Sequence, residues 1–367
     1  MRKYLKPSVF WLFIFIPITI ILEKKSVEDS LIFFSAALSI IPIAKLIGES
    51  TENLAHYTGD AIGGLLNATF GNAPELIIAI IALNAGMYQM VLASIAGAIL
   101  ANLLLATGVA FFIGGIKHRI QEYNPVTIHT YNSMMFLAVC SIIIPSAFHR
   151  FFIVNMGDVY KDNESSLNIL LAIGLLVAYA SYLFFMIKTH PDLFKSINKN
   201  ADNRLGEEHK PWSKEKAIGA LVAASVTAAF MSEILVGAAE GTGKELGMTP
   251  AFIGIVFVAV IGGAAESLSA IAMGAKNKVD LTIGIALGSS IQIALFVTPL
   301  LILLSFFIGP QPMFLNFNRA ETGAMFMAVL LTTVVSNDGT SNWYKGIQMI
   351  TLYMLIALLF YFIPEQT

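Results

Sequence analysis

The sequence is poor in charge and in cysteine. Only 13% of its 367 residues are charged and 56% are hydrophobic, whereas a soluble domain carries about 25% charged residues. This composition argues against a soluble enzyme and favours a bilayer as the solvent around most side chains. The net charge of −2 offers no basic surface for nucleic acid. The single cysteine, Cys140, excludes an intrachain disulfide and a thiolate metal cluster.

The short motifs of several energy-consuming and catalytic classes are also missing. The sequence contains neither a GxxxxGK[ST] phosphate loop nor an HExxH metal motif. Its six histidines are scattered without zinc-ligand spacing. Because no nucleophile–base arrangement is present either, we expect a protein that is not an enzyme, needs no ATP and holds no resident cofactor.

Long apolar runs recur along the whole chain. A membrane-spanning helix needs about 20 such residues, and the runs do not alternate as barrel strands would. The eleven runs cover residues 8–22, 29–48, 60–83, 87–115, 127–147, 166–187, 216–239, 249–274, 280–308, 320–336 and 344–363. The pattern predicts an all-α integral membrane protein with about eleven transmembrane helices.

The distribution of lysine and arginine predicts the orientation. With the N-terminus in the cytoplasm, fifteen basic residues fall inside and six outside, while Lys45 lies within a span. This bias predicts a C-terminus on the outside. The first run resembles a signal peptide, but the residues that follow it, 21–29, contain no small-residue cleavage site, so we interpret it as a helix.

One long polar loop, residues 188–215, divides the chain. It mixes both signs of charge and contains two prolines, which is typical of a solvated cytoplasmic linker. The predicted organisation is therefore an N-terminal helix (1–28), a first five-helix unit (29–187), this linker, and a second five-helix unit (216–367).

The two five-helix units resemble each other. The motif Gly71-Asn72-Ala73-Pro74-Glu75 in the third run corresponds to Gly262-Gly263-Ala264-Ala265-Glu266 in the eighth. At the same shift of 191 residues, Gly97 meets Gly288 and Thr107 meets Thr298. Because five is odd, consecutive copies enter the membrane from opposite sides. An inverted repeat of this kind is typical of secondary transporters.

Four further acidic residues lie near the ends of the second and seventh runs. An insertion of ten residues aligns Glu52 with Glu233, whereas without it Glu49 faces Glu240. The sequence leaves both alignments open. These acids either pass ions or protons into a central cavity or are hydrated helix ends.

Glu75 and Glu266 are the strongest candidates for function. Each lies within an apolar run without an adjacent basic residue, and a charge there costs on the order of 3 kcal/mol. Such a carboxylate must bind a cation, pair with a base or take up a proton. Lys45 is the only basic residue in the spans and lies outside the motifs. The remaining partners for these carboxylates are therefore metal ions and protons.

The residues around these glutamates suit a hard cation. Calcium takes about 6–8 oxygen ligands from carboxylates, carbonyls and water. The glycines and Pro74 loosen the helix ahead of each glutamate and free backbone carbonyls. Side-chain oxygens are available from Asn72, Asn102, Gln292 and Ser289. Two carboxylates balance one divalent cation, so protons replace the ion when it leaves, and the sequence predicts exchange by competition.

The motifs resemble those of a known family. The stretch GGLLNATFGNAPEL at 63–76 is similar to the first α-repeat of calcium/proton antiporters, the CAX branch of the cation/calcium exchanger superfamily. Residues 232–236 and 288–292 also resemble the family pattern. The resemblance implies an eleven-helix antiporter with a peripheral first helix and two inverted five-helix repeats. It further implies that Glu75 and Glu266 are the central ligands. The segment before the first run is short, as in prokaryotic members of the family, so we expect the protein in the cell membrane of a prokaryote.

The second motif departs from the family pattern. The family usually reads GNAAEH, but this chain has Gly263 in place of the asparagine and Ser267 in place of the histidine. These departures bear on ion selectivity and proton transfer, and the exchanger class is unaffected. The resemblance implies calcium and protons as transported substrates within a lipid bilayer. A sodium/calcium exchanger on the same fold and a passive cation channel are the alternatives, and the oligomeric state stays open, a homo-oligomer included.

Overall fold

A computed structural model describes residues 8–58, 66, 69–156, 158–194 and 212–363. Within 149–162, only residue 155 has a described side chain. The beginning of the third predicted run, positions 63–65, 67 and 68 of the first motif and most of the 188–215 linker lie outside the described residues.

The described chain is almost entirely helical. A 3₁₀ turn over Val9–Ile14 precedes the first helix, and one two-residue strand pair interrupts the series. The helices are α1 Phe15–Lys24, α2 Asp29–Ala55, α3 Ala73–Asn84, α4 Tyr88–His118, α5 Pro125–Met156, α6 Asp158–Phe184, α7 Lys214–Leu246, α8 Pro250–Gly262, α9 Ala264–Ala275, α10 Val279–Ser305, α11 Arg319–Ser336 and α12 Trp343–Phe362. The strands are β1 Gln121–Glu122 and β2 Thr340–Ser341.

Local sequence explains where several helices begin and end. Ser213 and Asn318 accept hydrogen bonds from the first-turn amides of α7 and α11, and Glu321 completes a capping box in α11. Gly247 follows α7 with φ of +66°, a left-handed conformation that glycine adopts without steric cost. These signals fix helix ends where the apolar runs alone do not.

Two predicted boundaries are corrected. The sequence places a loop between the runs 127–147 and 166–187, but α5 extends to Met156 and α6 begins at Asp158. In α5, His149 and Arg150 interrupt the apolar pattern and end the predicted run. The first residues of α6, 158–165, are mostly polar, so hydropathy does not detect them. The first run, 8–22, is also divided into a 3₁₀ turn and the helix α1.

Seven of the described helices are long and apolar enough to cross a membrane. The pair α8 and α9 passes the same criterion as one span bent by 63°, which raises that number to eight, and α3 is a shorter apolar helix. Large apolar side chains on the outer faces of these helices are exposed, and Leu170, Val226 and Val334 are each about two-thirds exposed. The chain is therefore a helical membrane protein whose perimeter suits lipid.

The packing places α4 and α10 at the centre. They are the most buried of the seven long apolar helices. Helix α4 contacts α8, α9 and α12, whereas α10 contacts α5, α6 and α9. Helices α2 and α7 pack along each other, and α3 packs against α7. Helix α1 packs mainly on α2, where Thr19 and Ser35 form a buried 2.7 Å hydrogen bond.

A short β-ribbon connects the loop between α4 and α5 with the loop between α11 and α12. Strands β1 and β2 pair antiparallel, and the Tyr123 hydroxyl contacts the carbonyls of Ser336 and Thr340 at 3.0 Å. Nearby, burial raises the pKa of Asp338, but hydrogen bonds from Lys345 and Thr340 outweigh this effect and hold that pKa below its usual value. The ribbon thereby fixes the α4–α5 connection against the α11–α12 connection.

Gly97 marks a close crossing of α4 and α8. A Cβ atom at this position would overlap the backbone atoms of Ile255. We expect Gly97→Ala to separate the two helices and to destabilise the protein by about 3 kcal/mol. Thermal unfolding in detergent measures the effect, and Gly237→Ala is the control because its Cβ would meet nothing within 4 Å. Equal melting temperatures for the two variants would contradict this packing.

Candidate cation-binding site

Two helices begin near the middle of the bundle with a glutamate in the first turn. Glu75 is the third residue of α3, and Glu266 is the third residue of α9. Asn72 and Gly263 are the residues that precede these helices, and neither has helical backbone angles. The chain therefore breaks ahead of each glutamate, as the glycines and Pro74 predict, and each carboxylate lies at the electropositive end of a helix.

The carboxylate oxygens are enclosed. Among the described residues, both side-chain oxygens of Glu75 and the Oε2 atom of Glu266 are buried without a hydrogen-bond partner. Glu75 packs against the break ahead of α9, because a Cβ atom added at Gly262 would lie 2.9 Å from Glu75 Cγ and one added at Gly263 would lie 3.5 Å from Glu75 Oε1. Buried oxygens of this kind are rare because each leaves a desolvation penalty uncompensated. A ligand that binds several oxygens at once would remove that penalty.

A chain of polar side chains lies across the break of the first motif. The Asn72 amide donates to Gln292 Oε1 at 2.5 Å, and the Ser289 hydroxyl donates to Asn72 Oδ1 at 2.8 Å. Asn102 donates in turn to the Ser289 hydroxyl at 3.1 Å. The structure therefore joins α4, α10 and the residue ahead of α3 through four amide and hydroxyl side chains that the sequence singles out.

Each of the two central helices widens beside these side chains. A π-helical turn covers Ala101–Ala106 in α4 and another covers Ile293–Val297 in α10. The Thr107 hydroxyl donates to the Asn102 carbonyl at 2.8 Å, and the Thr298 hydroxyl donates to the Ile293 carbonyl at 2.7 Å. Widened turns are frequent at functional sites because they reorient side chains. Apolar patterning carries no signal for them.

Ser289 connects two amides, so its removal should loosen the site. We expect Ser289→Ala to weaken calcium binding by about 10–100-fold, because it removes the hydroxyl that orients Asn72 and Asn102, and loss of orienting hydrogen bonds has an effect of this size at metal sites. The neighbouring Ser290→Ala is the control, because Ser290 is also buried but its hydroxyl donates to the Ala286 carbonyl of its own helix at 3.0 Å. Radioactive calcium binding to purified protein measures the difference. Equal losses in both variants would contradict a specific role for Ser289.

A small cavity lies next to Glu75. Its volume of about 20 Å³ is lined by Glu75, Ser94, Ala98, Val258 and Ile293, among others. This volume suits about one water molecule. The Ser94 hydroxyl donates to the Val91 carbonyl of its own helix at 2.8 Å. Ser94 lies outside the glutamate motifs, so no sequence pattern indicates it as a lining residue. The cavity places solvent-sized space beside the carboxylate.

The four further acids lie away from this polar chain. Glu233 and Glu240 line one cavity of about 780 Å³ between α3 and α7, and Glu240 accepts a 2.7 Å hydrogen bond from Lys244. Glu49 lies 3.8 Å from Lys45 along α2, and Glu52 is exposed on the same helix. The two acids of α7, Glu233 and Glu240, therefore lie along a common cavity, although they belong to different alignments of the repeat.

The donors of the candidate site differ from those of a conventional metal-ligand cluster. Among the described residues, no group of three or more histidine, cysteine, aspartate or glutamate side chains is arranged to hold a metal ion. The candidate site therefore consists of two carboxylates supplemented by neutral oxygens. This donor set suits a hard cation rather than a soft one.

Comparisons with known proteins agree with this reading of the chain. The family model described as "Sodium/calcium exchanger protein" matches residues 30–188 and 216–362. The "Ca(2+)/H(+) antiporter" of Aphanothece halophytica is 38% identical over 364 residues, covering 97% of this chain and 96% of that protein. The "Ca(2+)/H(+) antiporter ChaA" of Bacillus subtilis is 39% identical over 346 residues, covering 94% and 96%.

A solved structure gives the same result for the fold. The structure of native YfkE has a TM-score of 0.82 and 35% identity, and the match covers 97% of this chain and 100% of that one. The resemblance to calcium/proton antiporters that the motifs indicate is thus confirmed over nearly the whole chain. The chain belongs to the sodium/calcium exchanger protein family.

Proposed function

We propose that this protein is a secondary active antiporter that exchanges calcium ions for protons across a membrane by alternating access. The observation that carries the proposal is the pair of enclosed carboxylates, Glu75 and Glu266, whose buried oxygens have no hydrogen-bond partner among the described residues. The antiporter names of the bacterial and cyanobacterial relatives support the same substrates. The activity is transport, without an enzymatic reaction or a resident cofactor.

One divalent cation binds between the two glutamates in this proposal. Two carboxylates neutralise its charge, and oxygens of Asn72, Asn102, Gln292 and Ser289 help to complete its shell together with backbone carbonyls. These neutral groups already lie in one hydrogen-bonded chain. Calcium accepts this mixture because it takes about 6–8 oxygen ligands in flexible geometry.

Protons take the place of the ion when it leaves. An empty pair of ionised carboxylates would leave two like charges together in a site shielded from water, which is strongly unfavourable. Protonation removes these charges, so the site holds either the cation or protons during each crossing. Coupling then follows from competition for the same oxygens.

Two inverted five-helix repeats would supply the two access states. Helix α3 spans Ala73–Asn84 and α9 spans Ala264–Ala275, so both ends differ by the 191 residues that align the motifs. Thr107 and Thr298 are separated by the same interval and make the same bond to a carbonyl five residues earlier. These coincidences support 29–187 and 216–367 as related units, with 1–28 as a peripheral helix and 188–215 as the linker.

We place the N-terminus in the cytoplasm and the C-terminus outside, with about eleven crossings in the cell membrane of a prokaryote. The lysine and arginine distribution supports this orientation. The cavity lined by Glu233 and Glu240 then opens on the outer side, next to the end of α3. We assign these two acids, and Glu49 and Glu52 on α2, to the passage of ions and protons towards the centre.

Transport by purified protein in liposomes tests this function. An acidic interior should drive accumulation of radioactive calcium without sodium, and a proton ionophore should abolish it. Strict dependence on a sodium gradient would replace the proposal with a sodium/calcium exchanger. Calcium flux without any counter-ion coupling would replace it with a passive channel.

A further inference from the structure

The two residues that precede the glutamate helices have similar backbone conformations but different side chains. Asn72 and Gly263 are separated by the 191 residues that align the motifs, and each immediately precedes its glutamate helix. Their backbone angles are similar, with φ of −98° and −80° and ψ of 23° and 12°. Each carbonyl accepts from the amide four residues later, Leu76 and Ser267 respectively. Only the side chain is missing in the second half.

In the first half, the side chain fills the site. Asn72 donates to Gln292 and accepts from Ser289, so its amide occupies the space between α3 and α10. In the second half, a Cβ atom at Gly263 would lie 3.5 Å from Glu75 Oε1 and 3.8 Å from Asn102 Oδ1. Two acceptor oxygens, one of them buried without a partner among the described residues, therefore face the position of the absent side chain.

Neither backbone strain nor crowding requires glycine at 263. Its φ of −80° is open to any residue, and the nearest atom to an added Cβ would be the Ala259 carbonyl oxygen at 3.4 Å, an ordinary contact. The adjacent Gly262 differs, because its Cβ would lie 2.9 Å from Glu75 Cγ. Packing accounts for Gly262 but leaves the glycine at 263 unexplained.

We propose that Gly263 determines ion specificity by leaving one ligand position to water, so that the transported dication crosses the membrane with at least one water molecule bound. The inference rests on the proposed calcium site and deepens it. In this arrangement, Glu75 binds the cation through Oε2, and Asn102 acts through the water. The water donates its hydrogens to Glu75 Oε1 and Asn102 Oδ1, while its oxygen binds the cation. These two oxygens are the acceptors that face the position of the absent side chain. Together they provide the polar partners that an ordered water needs.

A water ligand makes the site adaptable. Protein ligands on a stiff backbone favour one ionic radius, whereas a water molecule moves with the ion and suits smaller cations that keep part of their hydration shell. The site should therefore bind Mn²⁺ as well as Ca²⁺, one ion at a time. Filling the gap with an amide should favour calcium and reduce the relative affinity for manganese.

Mn²⁺ as a spin probe tests the proposal directly. Pulsed electron paramagnetic resonance in deuterated water counts exchangeable water ligands on Mn²⁺ bound to the purified wild-type protein. We expect at least one such ligand, and one fewer in Gly263→Asn. A wild-type complex without a water ligand would overturn the inference without reliance on any variant.

Two substitutions at position 263 distinguish a bound water ligand from an empty space. Gly263→Ala should displace the water without replacing its oxygen and weaken calcium binding by about tenfold, because an apolar group cannot reproduce the lost interactions. Gly263→Asn should bind calcium at least as tightly as the wild type and increase its preference for calcium over manganese. Equal effects of the alanine and asparagine variants would overturn the proposal.

The same binding measurements distinguish this inference from the underlying function. If Ca²⁺ and Mn²⁺ bind the wild type but not Glu75→Gln, the cation site stands, and the water count alone decides the role of Gly263. If neither ion binds the wild type, or if both bind Glu75→Gln unchanged, the proposed site itself is wrong and the inference falls with it.

Discussion

Replacing Glu75 or Glu266 with glutamine is expected to abolish calcium exchange. Each substitution keeps the shape of the side chain but removes half of the negative charge that balances a divalent cation. A unit charge about 4 Å from another contributes about 4 kcal/mol at the effective dielectric of a protein, and a loss of about 3 kcal/mol already weakens binding more than a hundredfold. Calcium uptake into liposomes and equilibrium calcium binding measure this loss.

The loss should be specific to these two positions. Glu23→Gln is the matched control, because Glu23 is exposed near the end of the peripheral helix α1. Both site variants should remain folded, since each removes a buried charge without adding volume, and size-exclusion profiles in detergent check this. A folded Glu75→Gln or Glu266→Gln variant that transports at the wild-type rate would refute the assigned role.

Calcium binding should weaken steeply as the pH falls. Lower pH protonates the carboxylates, and a protonated carboxyl group no longer balances the cation. If one calcium ion displaces two protons, the apparent dissociation constant rises by about a hundredfold for each pH unit in the range where both carboxylates take up protons. Calorimetric or radioactive calcium binding over a pH series measures this slope.

The single-glutamate variants change this pH slope in a predictable way. Any residual calcium binding in Glu75→Gln displaces at most one proton, so its dissociation constant should rise by about tenfold for each pH unit instead of a hundredfold. Proton release on calcium addition, recorded with a pH-sensitive dye, gives an independent count. Calcium affinity that is independent of pH would contradict competition between the ion and protons.

Much of the candidate site can be predicted from the sequence because charge in lipid is costly. Glu75 and Glu266 stood out within apolar runs, and Asn72, Asn102, Ser289 and Gln292 were the amides and hydroxyls near them. The shift of 191 residues between the motifs matches the bounds of α3 and α9. Few polar residues are present in such spans, so those that remain carry an unusually clear signal.

Other features depend on three-dimensional packing and carry no comparable signal. The π-helical turns beside Asn102 and Gln292 and the hydrogen bonds of Ser289 require knowledge of neighbouring helices. The extensions of α5 and α6 beyond the predicted runs escape detection because hydropathy follows lipid contact rather than backbone hydrogen bonding. The alignment of α2 with α7 stays open because helix ends tolerate insertions, and with it the choice between the two pairs of outer acids.

Crystals grown with Sr²⁺ or Mn²⁺ would test the central claim most directly. Anomalous scattering locates such an ion without reference to the protein ligands. We predict one peak between the Glu75 and Glu266 carboxylates, at about 2.3–2.6 Å from oxygens of both residues for a calcium-sized ion. A single strong peak elsewhere, or an ion bound by only one of the two glutamates, would contradict the shared site.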